Sequence, residues 1–166
     1  LMSSENRAAS SLSRYYPGGR DAFVAAMNRK AKELDLGDTR FEDPTGLTKA
    51  NVSSPRDLAK MVDAAYQYPL IREFTTTASG EVTVSGRSMQ YSNTNSLVKS
   101  SAWEIGLSKT GYISEAGQCL VMQAKVAGRK LIMVFLDSAG KLSRLGDAER
   151  VKRWVESSPA AGPLAR

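Results

Sequence analysis

The spacing of apolar residues along the 166-residue chain changes from helical to alternating near its middle. An Ala/Ser-rich stretch predicts a short helix from Ser3 to Leu12, with Ser4 and Asn6 near its start. Tyr16-Pro17-Gly18-Gly19 forms a turn. Asp21 then caps a helix through Leu34 that carries Phe23, Ala26, Met27, Lys30 and Leu34 along one side. Gly37 ends it, and residues 38–54 read as loop, broken by Asp43-Pro44 and Gly46. Ser54-Pro55 opens a helix from Arg56 to Tyr66, with Leu58, Met61, Val62 and Ala65 at helical spacing. Proline sits in its first turn, where the missing N–H costs nothing.

After Pro69 the period becomes two. Glu81-Val82-Thr83-Val84 and Ser88-Met89-Gln90-Tyr91, joined through Ser85-Gly86-Arg87, read as a small hairpin. Trp103 to Ser108 is the next strand. Gln118 to Val126 and Lys130 to Asp137, joined at Ala127-Gly128-Arg129, form a more hydrophobic and central hairpin. Leu142 to Glu156 closes the pattern with a helix that can pack Leu145, Ala148, Val151, Val155 and Trp154 on the sheet. The fold class is therefore α+β, with an antiparallel sheet flanked by helices. Residues 1–156 read as one folded portion, and Ser157 to Arg166, rich in Pro, Ala and Gly, as a flexible tail.

The composition, with 42% apolar and 24% charged residues, is that of a globular chain. Its longest apolar run, Leu131 to Leu136, is far short of the ~20 residues of a membrane helix, so no transmembrane anchor is expected. Cys119, the single cysteine, lies in a strand pattern and reads as a small buried core residue. The net charge of +6 admits an anionic polymer as partner, but the basic residues are scattered among acidic ones, as on solvated helix faces, and no nucleic acid is expected. Histidine is absent. A Ser-His-Asp triad, a His general base and a His-based zinc site are thereby excluded, and one cysteine supplies no thiolate cluster, so no metal or cofactor is expected. Serine chemistry here has to use lysine as its base, which requires burial or neighbouring cations to lower the lysine pKa.

Two short motifs supply that chemistry. Lys109-Thr110-Gly111 ends the alternating run from Trp103, and Ser4-Glu5-Asn6 lies far upstream. Phe41-Glu42-Asp43-Pro44-Thr45-Gly46-Leu47, Ser53-Ser54-Pro55-Arg56-Asp57-Leu58, Asn93-Thr94-Asn95 and Gly111-Tyr112-Ile113-Ser114-Glu115-Ala116-Gly117 accompany them. Over about the first 155 residues the chain resembles the low-molecular-mass penicillin-binding proteins, the D-alanyl-D-alanine peptidases. Its opening, Leu1-Met2-Ser3-Ser4-Glu5-Asn6-Arg7-Ala8-Ala9-Ser10, is most similar to the endopeptidase branch, the penicillin-binding protein 7 type.

The resemblance implies the transpeptidase fold with its N-terminal part missing. It also implies a soluble, monomeric periplasmic enzyme that cleaves D,D cross-links in peptidoglycan through an acyl-enzyme and is blocked covalently by β-lactams. A carboxypeptidase, a catalytically silent cell-wall-binding module and a basic domain for an anionic polymer are the alternatives. The nucleophile, Ser-x-x-Lys, comes before the Ser-x-Asn element in this superfamily, so the upstream segment of the same polypeptide is an expected partner and residues 1–166 alone are expected to be inactive. Two literal matches, Ser96-Leu97-Val98-Lys99 and Ser138-Ala139-Gly140-Lys141, lie in a link and a glycine turn rather than at a helix start, and read as decoys.

By resemblance, Ser4 relays a proton to the leaving nitrogen, and Asn6 bonds the substrate amide and the nucleophile's lysine. Lys109 lowers that lysine's pKa, and Thr110 bonds the terminal carboxylate. Gly111 leaves room for the substrate backbone, and the Tyr112 N–H is an oxyanion donor. Each residue also has a plainer role: helix capping for Ser4 and Asn6, an exposed strand end for Lys109-Thr110-Gly111, and loop turns for Asn93 and Asn95. The i, i+2 spacing of Ser4 and Asn6 puts them on different sides of an ideal helix, so one of them has to sit at its start or in a loop.

Overall fold

The computed structural model describes residues 1–158, apart from the side chain of Val84. Its helices are α1 (Asn6–Tyr15), α2 (Gly19–Glu33), α3 (Pro55–Ala65), α4 (Pro69–Thr76) and α5 (Ser143–Ser157). Its strands are β1 (Ser79–Val84), β2 (Arg87–Ser92), β3 (Glu104–Ile113), β4 (Gly117–Val126) and β5 (Arg129–Ser138). A single 3₁₀ turn, Ser96–Lys99, precedes β3. β1 and β2 form a separate antiparallel hairpin, while β3, β4 and β5 form an antiparallel sheet with β4 in the middle and β3 at an edge.

The alternation read in β4 is what organises the core. Leu120, Met122, Ala124 and Val126 all point to one face and are at most 2% exposed. They meet Ala148 and Val155 of α5, with Leu145 and Val151 alongside. Burying the Leu, Met and Val side chains contributes roughly 1.5–3 kcal/mol each, before chain entropy is set against it. Trp103 is anchored in the same cluster, its indole Nε1 donating to Glu149 Oε1 at 2.6 Å. On the opposite face, Val121 and Leu136 share a cavity with Leu58 of α3, so α3 and α5 sandwich the sheet. Trp154, by contrast, is 68% exposed and does not pack on the sheet as expected.

Residues 38–54 contain no helix or strand, yet they are tightly organised. Asp57, buried in α3, accepts from the Asp38 N–H and the Thr39 hydroxyl, both at 2.8 Å. Asp43 Oδ1 accepts from the Thr45 and Gly46 amides, and Asn51 bridges to the Glu42 and Asp43 amides. A short bridge, Arg40 to Val52, closes the loop.

Several boundaries differ from the sequence reading. α1 runs on to Tyr15, and α2 starts at Gly19 rather than Asp21. The stretch after Pro69 is first a helix, α4, and only then the hairpin. Proline at the first helical position again accounts for this, with Leu70, Ile71 and Phe74 at helical spacing. β3 continues to Ile113, so Lys109, Thr110 and Gly111 lie within the strand and not at its end. Ser157 belongs to α5, and the expected tail from residue 159 onward lies outside the described residues.

Candidate active site

Ser4 stands just before α1, and Asn6 is the first residue of that helix, which satisfies the geometric requirement of their spacing. Ser4 adopts φ 56°, the left-handed region that costs a residue with a Cβ roughly 1–2 kcal/mol. Such strain persists only where surrounding structure enforces it, and it concentrates at functional sites. Here it turns the Ser4 hydroxyl toward β3. Lys109 Nζ donates to Ser4 Oγ at 2.5 Å, a bond between residues 105 apart in the chain, and to the Thr110 carbonyl at 2.5 Å. Burial holds the Lys109 pKa below the usual lysine range, and the nearby Arg144 charge depresses it further. Asn6 turns its Nδ2 to the Thr45 carbonyl at 2.8 Å, so the Asp43-centred loop fixes its amide.

Arg144 was not singled out from the sequence. It is 7% exposed at the start of α5 and donates through Nη1 to the carbonyls of Cys119 (2.8 Å) and Gly111 (3.2 Å). Its Nε is buried with no partner. A buried guanidinium with a spare donor is a cation waiting for an acceptor. The available signal was a charged residue on the apolar stripe of α5, four residues before Ala148 and eleven before Val155.

A cavity of about 560 Å³ opens between these groups, lined by Ser4, Thr94, Thr110, Tyr112, Lys141 and Arg144 among others. A second cavity, of about 570 Å³, lies on the other side of β3, where Lys109 meets the more apolar Leu58, Val121 and Leu136. Cys119 lines the second cavity and is half-buried, not a core residue. Its cross-strand partner is Gly111, which has no side chain to cover it. A Cβ placed on Gly111 would meet only Cys119, at an ordinary 3.7 Å, so internal packing does not demand glycine there.

Asn93 and Asn95 are both buried, and each closes a loop turn, its Oδ1 accepting from the N–H two residues on, while their amides also clamp the loop. Asn93 Nδ2 donates to the Thr75 and Thr77 carbonyls, each at 2.9 Å, and its Oδ1 accepts from the Asn95 N–H. Asn95 Nδ2 donates to Ser108 Oγ at 3.0 Å, one residue before Lys109. Asn95→Ala is expected to destabilise the fold by about 1–3 kcal/mol, because it leaves the Ser108 hydroxyl and Leu97 N–H buried without their partner. Chemical denaturation measures this directly. Of the two decoy pairs, Ser96 and Lys99 are both exposed, and among the described residues neither Ser96 nor Ser138 is hydrogen-bonded to its lysine. No group of His, Cys, Asp and Glu suited to a metal occurs among the described residues, and none of their helices is long and apolar enough to cross a membrane.

A sheet edge carrying a half-buried lysine bonded to a distant serine, backed by a C-terminal helix on one face and helices on the other, defines the penicillin-binding-protein transpeptidase fold. The chain belongs to the D-alanyl-D-alanine carboxypeptidase family, whose model matches residues 1–140. It is 46% identical over 159 residues to a D-alanyl-D-alanine endopeptidase of Escherichia coli, an alignment that covers 95% of this chain and 51% of the relative. The corresponding protein of Pseudomonas aeruginosa is 47% identical over 175 residues, covering 100% of this chain and 56% of the relative. Among solved structures, a Streptomyces DD-transpeptidase superposes with a TM-score of 0.81 at 31% identity, covering 89% of this chain and 61% of that one. A Mycobacterium tuberculosis D-alanyl-D-alanine carboxypeptidase superposes with a TM-score of 0.85 at 25% identity, covering 97% and 62%. The chain thus spans about half the length of the curated relatives it matches.

Proposed function

We propose that this chain is the carboxyl-terminal part of a periplasmic, monomeric serine D-alanyl-D-alanine endopeptidase that cleaves D,D cross-links in peptidoglycan and is acylated by β-lactams. The observation that carries the reading is the Lys109–Ser4 bond, with burial, and after it the Arg144 charge, lowering the lysine's proton affinity. In the proposed reaction a serine hydroxyl from a Ser-x-x-Lys segment preceding Ser4 attacks the D-Ala carbonyl, and its lysine takes the proton. Ser4 passes a proton to the leaving nitrogen as the C–N bond breaks. Water then attacks the resulting ester, freeing the acid and regenerating the serine. Lys109 keeps the paired lysine's proton affinity low by its charge, and Asn6 orients that lysine and the substrate amide. The Tyr112 N–H faces the oxyanion, and the bare Gly111 lets the substrate strand lie along β3.

Thr110 and Arg144 supply hydrogen bonds for the carboxylate next to the scissile bond. Arg144→Gln is therefore expected to raise KM for carboxylate-bearing peptides by roughly tenfold or more, the scale of a charge-assisted bond. Peptides with an amidated terminus should change far less. The endopeptidase assignment is supported by identities of 36–47% to proteins so named, against 29–34% to carboxypeptidases. Incubating the protein that carries its upstream segment with purified muropeptide dimer and with monomeric pentapeptide tests it. Faster cleavage of the dimer is the predicted result; release of D-Ala from the monomer alone would make it a carboxypeptidase. Binding of either without turnover would make it a silent module.

A further inference from the structure

Thr94 belongs to none of the roles above, yet it touches both halves of the site. Its Oγ1 lies 2.6 Å from Thr110 Oγ1, and its backbone N–H donates to the Met2 carbonyl at 3.3 Å, two residues before Ser4. The surrounding backbone is held without it. Asn93 N–H donates to the Ala78 carbonyl, the Asn93 amide clamps the end of α4, and Asn95 is bonded to Ser108. The loop therefore keeps these anchors when the Thr94 hydroxyl is removed.

Each of the two hydroxyls carries one proton, so one donates to the other and only one proton remains for a ligand. The cavity they face is lined by Lys141 and Arg144, which select an anion, and a carboxylate can only accept. For the more buried Thr110, 6% exposed, to donate to that anion, Thr94 has to donate to Thr110. We propose that Thr94 is a positioning residue for substrate selectivity: its hydroxyl orders the proton chain Thr94 to Thr110 to carboxylate. Chained hydrogen bonds in one direction polarise and strengthen one another. The inference rests on the carboxylate reading of the cavity given above.

The test uses the full chain with its upstream segment. Thr94→Val removes the donor at nearly constant shape and is expected to raise KM for an acyl-D-Ala-D-Ala peptide about fivefold, one neutral hydrogen bond's worth, with kcat and Tm nearly unchanged. The same peptide with an amidated terminus should be indifferent, and Thr94→Ser should restore wild-type KM. In a double-mutant cycle, Thr94→Val in a Thr110→Val background should add almost nothing. Additive effects would mean that Thr94 meets the ligand directly, and an equal loss on the amidated peptide would mean a structural role; either overturns the proposal. If the wild-type protein turned over neither these peptides nor a muropeptide dimer, the functional reading would fail separately. N-acetyl-D-Ala-D-Ala titrated onto the protein by NMR would still decide on Thr94: weaker binding in Thr94→Val supports the ordered chain, and unchanged binding refutes it.

Discussion

Replacing Lys109 by alanine in the protein that carries its upstream segment is expected to slow acylation by at least ~100-fold, the usual scale for a positioned acid–base group. The ammonium is bonded to Ser4 and to the Thr110 carbonyl, so in the proposed reaction its loss would free the proton relay and remove the cation that depresses the paired lysine's pKa. Stability should not suffer, because the native state already bears the cost of burying Lys109 beside Arg144. Lys109's folded pKa is lowered, so between that value and the ordinary lysine pKa the unfolded chain binds more protons, and stability rises with pH across this window. Lys109→Ala should lose that rise. Thr110→Ala should differ in kind: it removes a ligand hydrogen bond of about 1–3 kcal/mol, seen mainly in KM. Stopped-flow acylation by a β-lactam, with steady-state kinetics on a muropeptide dimer, separates the two. Equal small effects would return the triplet to an ordinary stretch of strand.

The largest loss of stability is expected from Gly117→Ala. Gly117 opens β4 with φ +61°, which costs an alanine roughly 1–2 kcal/mol. The new Cβ would also stand 2.5 Å from Asp137 Oδ1 and 2.9 Å from the Asp137 Cα, and the backbone atom cannot rotate away. Overpacking of this kind costs about 1–3 kcal/mol more, so a total of several kcal/mol is expected in denaturant unfolding. The effect should reach the site. Gly117 pairs with Ile113, and two residues later the Cys119 carbonyl holds Arg144. Substrate affinity should therefore fall together with stability. Unchanged stability would mean that the β3–β4 turn is more pliable than its geometry indicates.

The sheet was legible because β4 alternates, β5 carries a continuous apolar run, and both are long. α4 was not: eight residues give few helical positions to count, and the alternation of β1 just beyond dominates the window. The motif residues Ser4, Asn6, Lys109, Thr110, Gly111 and Tyr112 could be picked out by type and order. Their assembly could not. Nothing in Ser3-Ser4-Glu5 signals a left-handed serine, since only long-range bonds to Lys109 and the loop near Asn93 make it tolerable. Arg144, Thr94 and Lys141 enter the cleft through tertiary placement of α5 and the 93–95 loop. Of these, only Arg144 left a trace in the pattern, as a charge on an apolar helix stripe. Cys119 is half-buried rather than in the core; strand periodicity predicts a face but not where the opposing cover ends.

Ser4 and Lys109 are proposed to serve a lysine-activated serine supplied by a preceding segment. Intact-mass analysis after incubation with a β-lactam tests it most directly, on residues 1–166 alone and on the protein with its upstream segment. No adduct on the first and one stoichiometric adduct on the second, mapped to a serine of the added segment, is the predicted result. An adduct on Ser96 or Ser138 of the isolated chain would contradict the account, as would a longer protein that takes up no β-lactam.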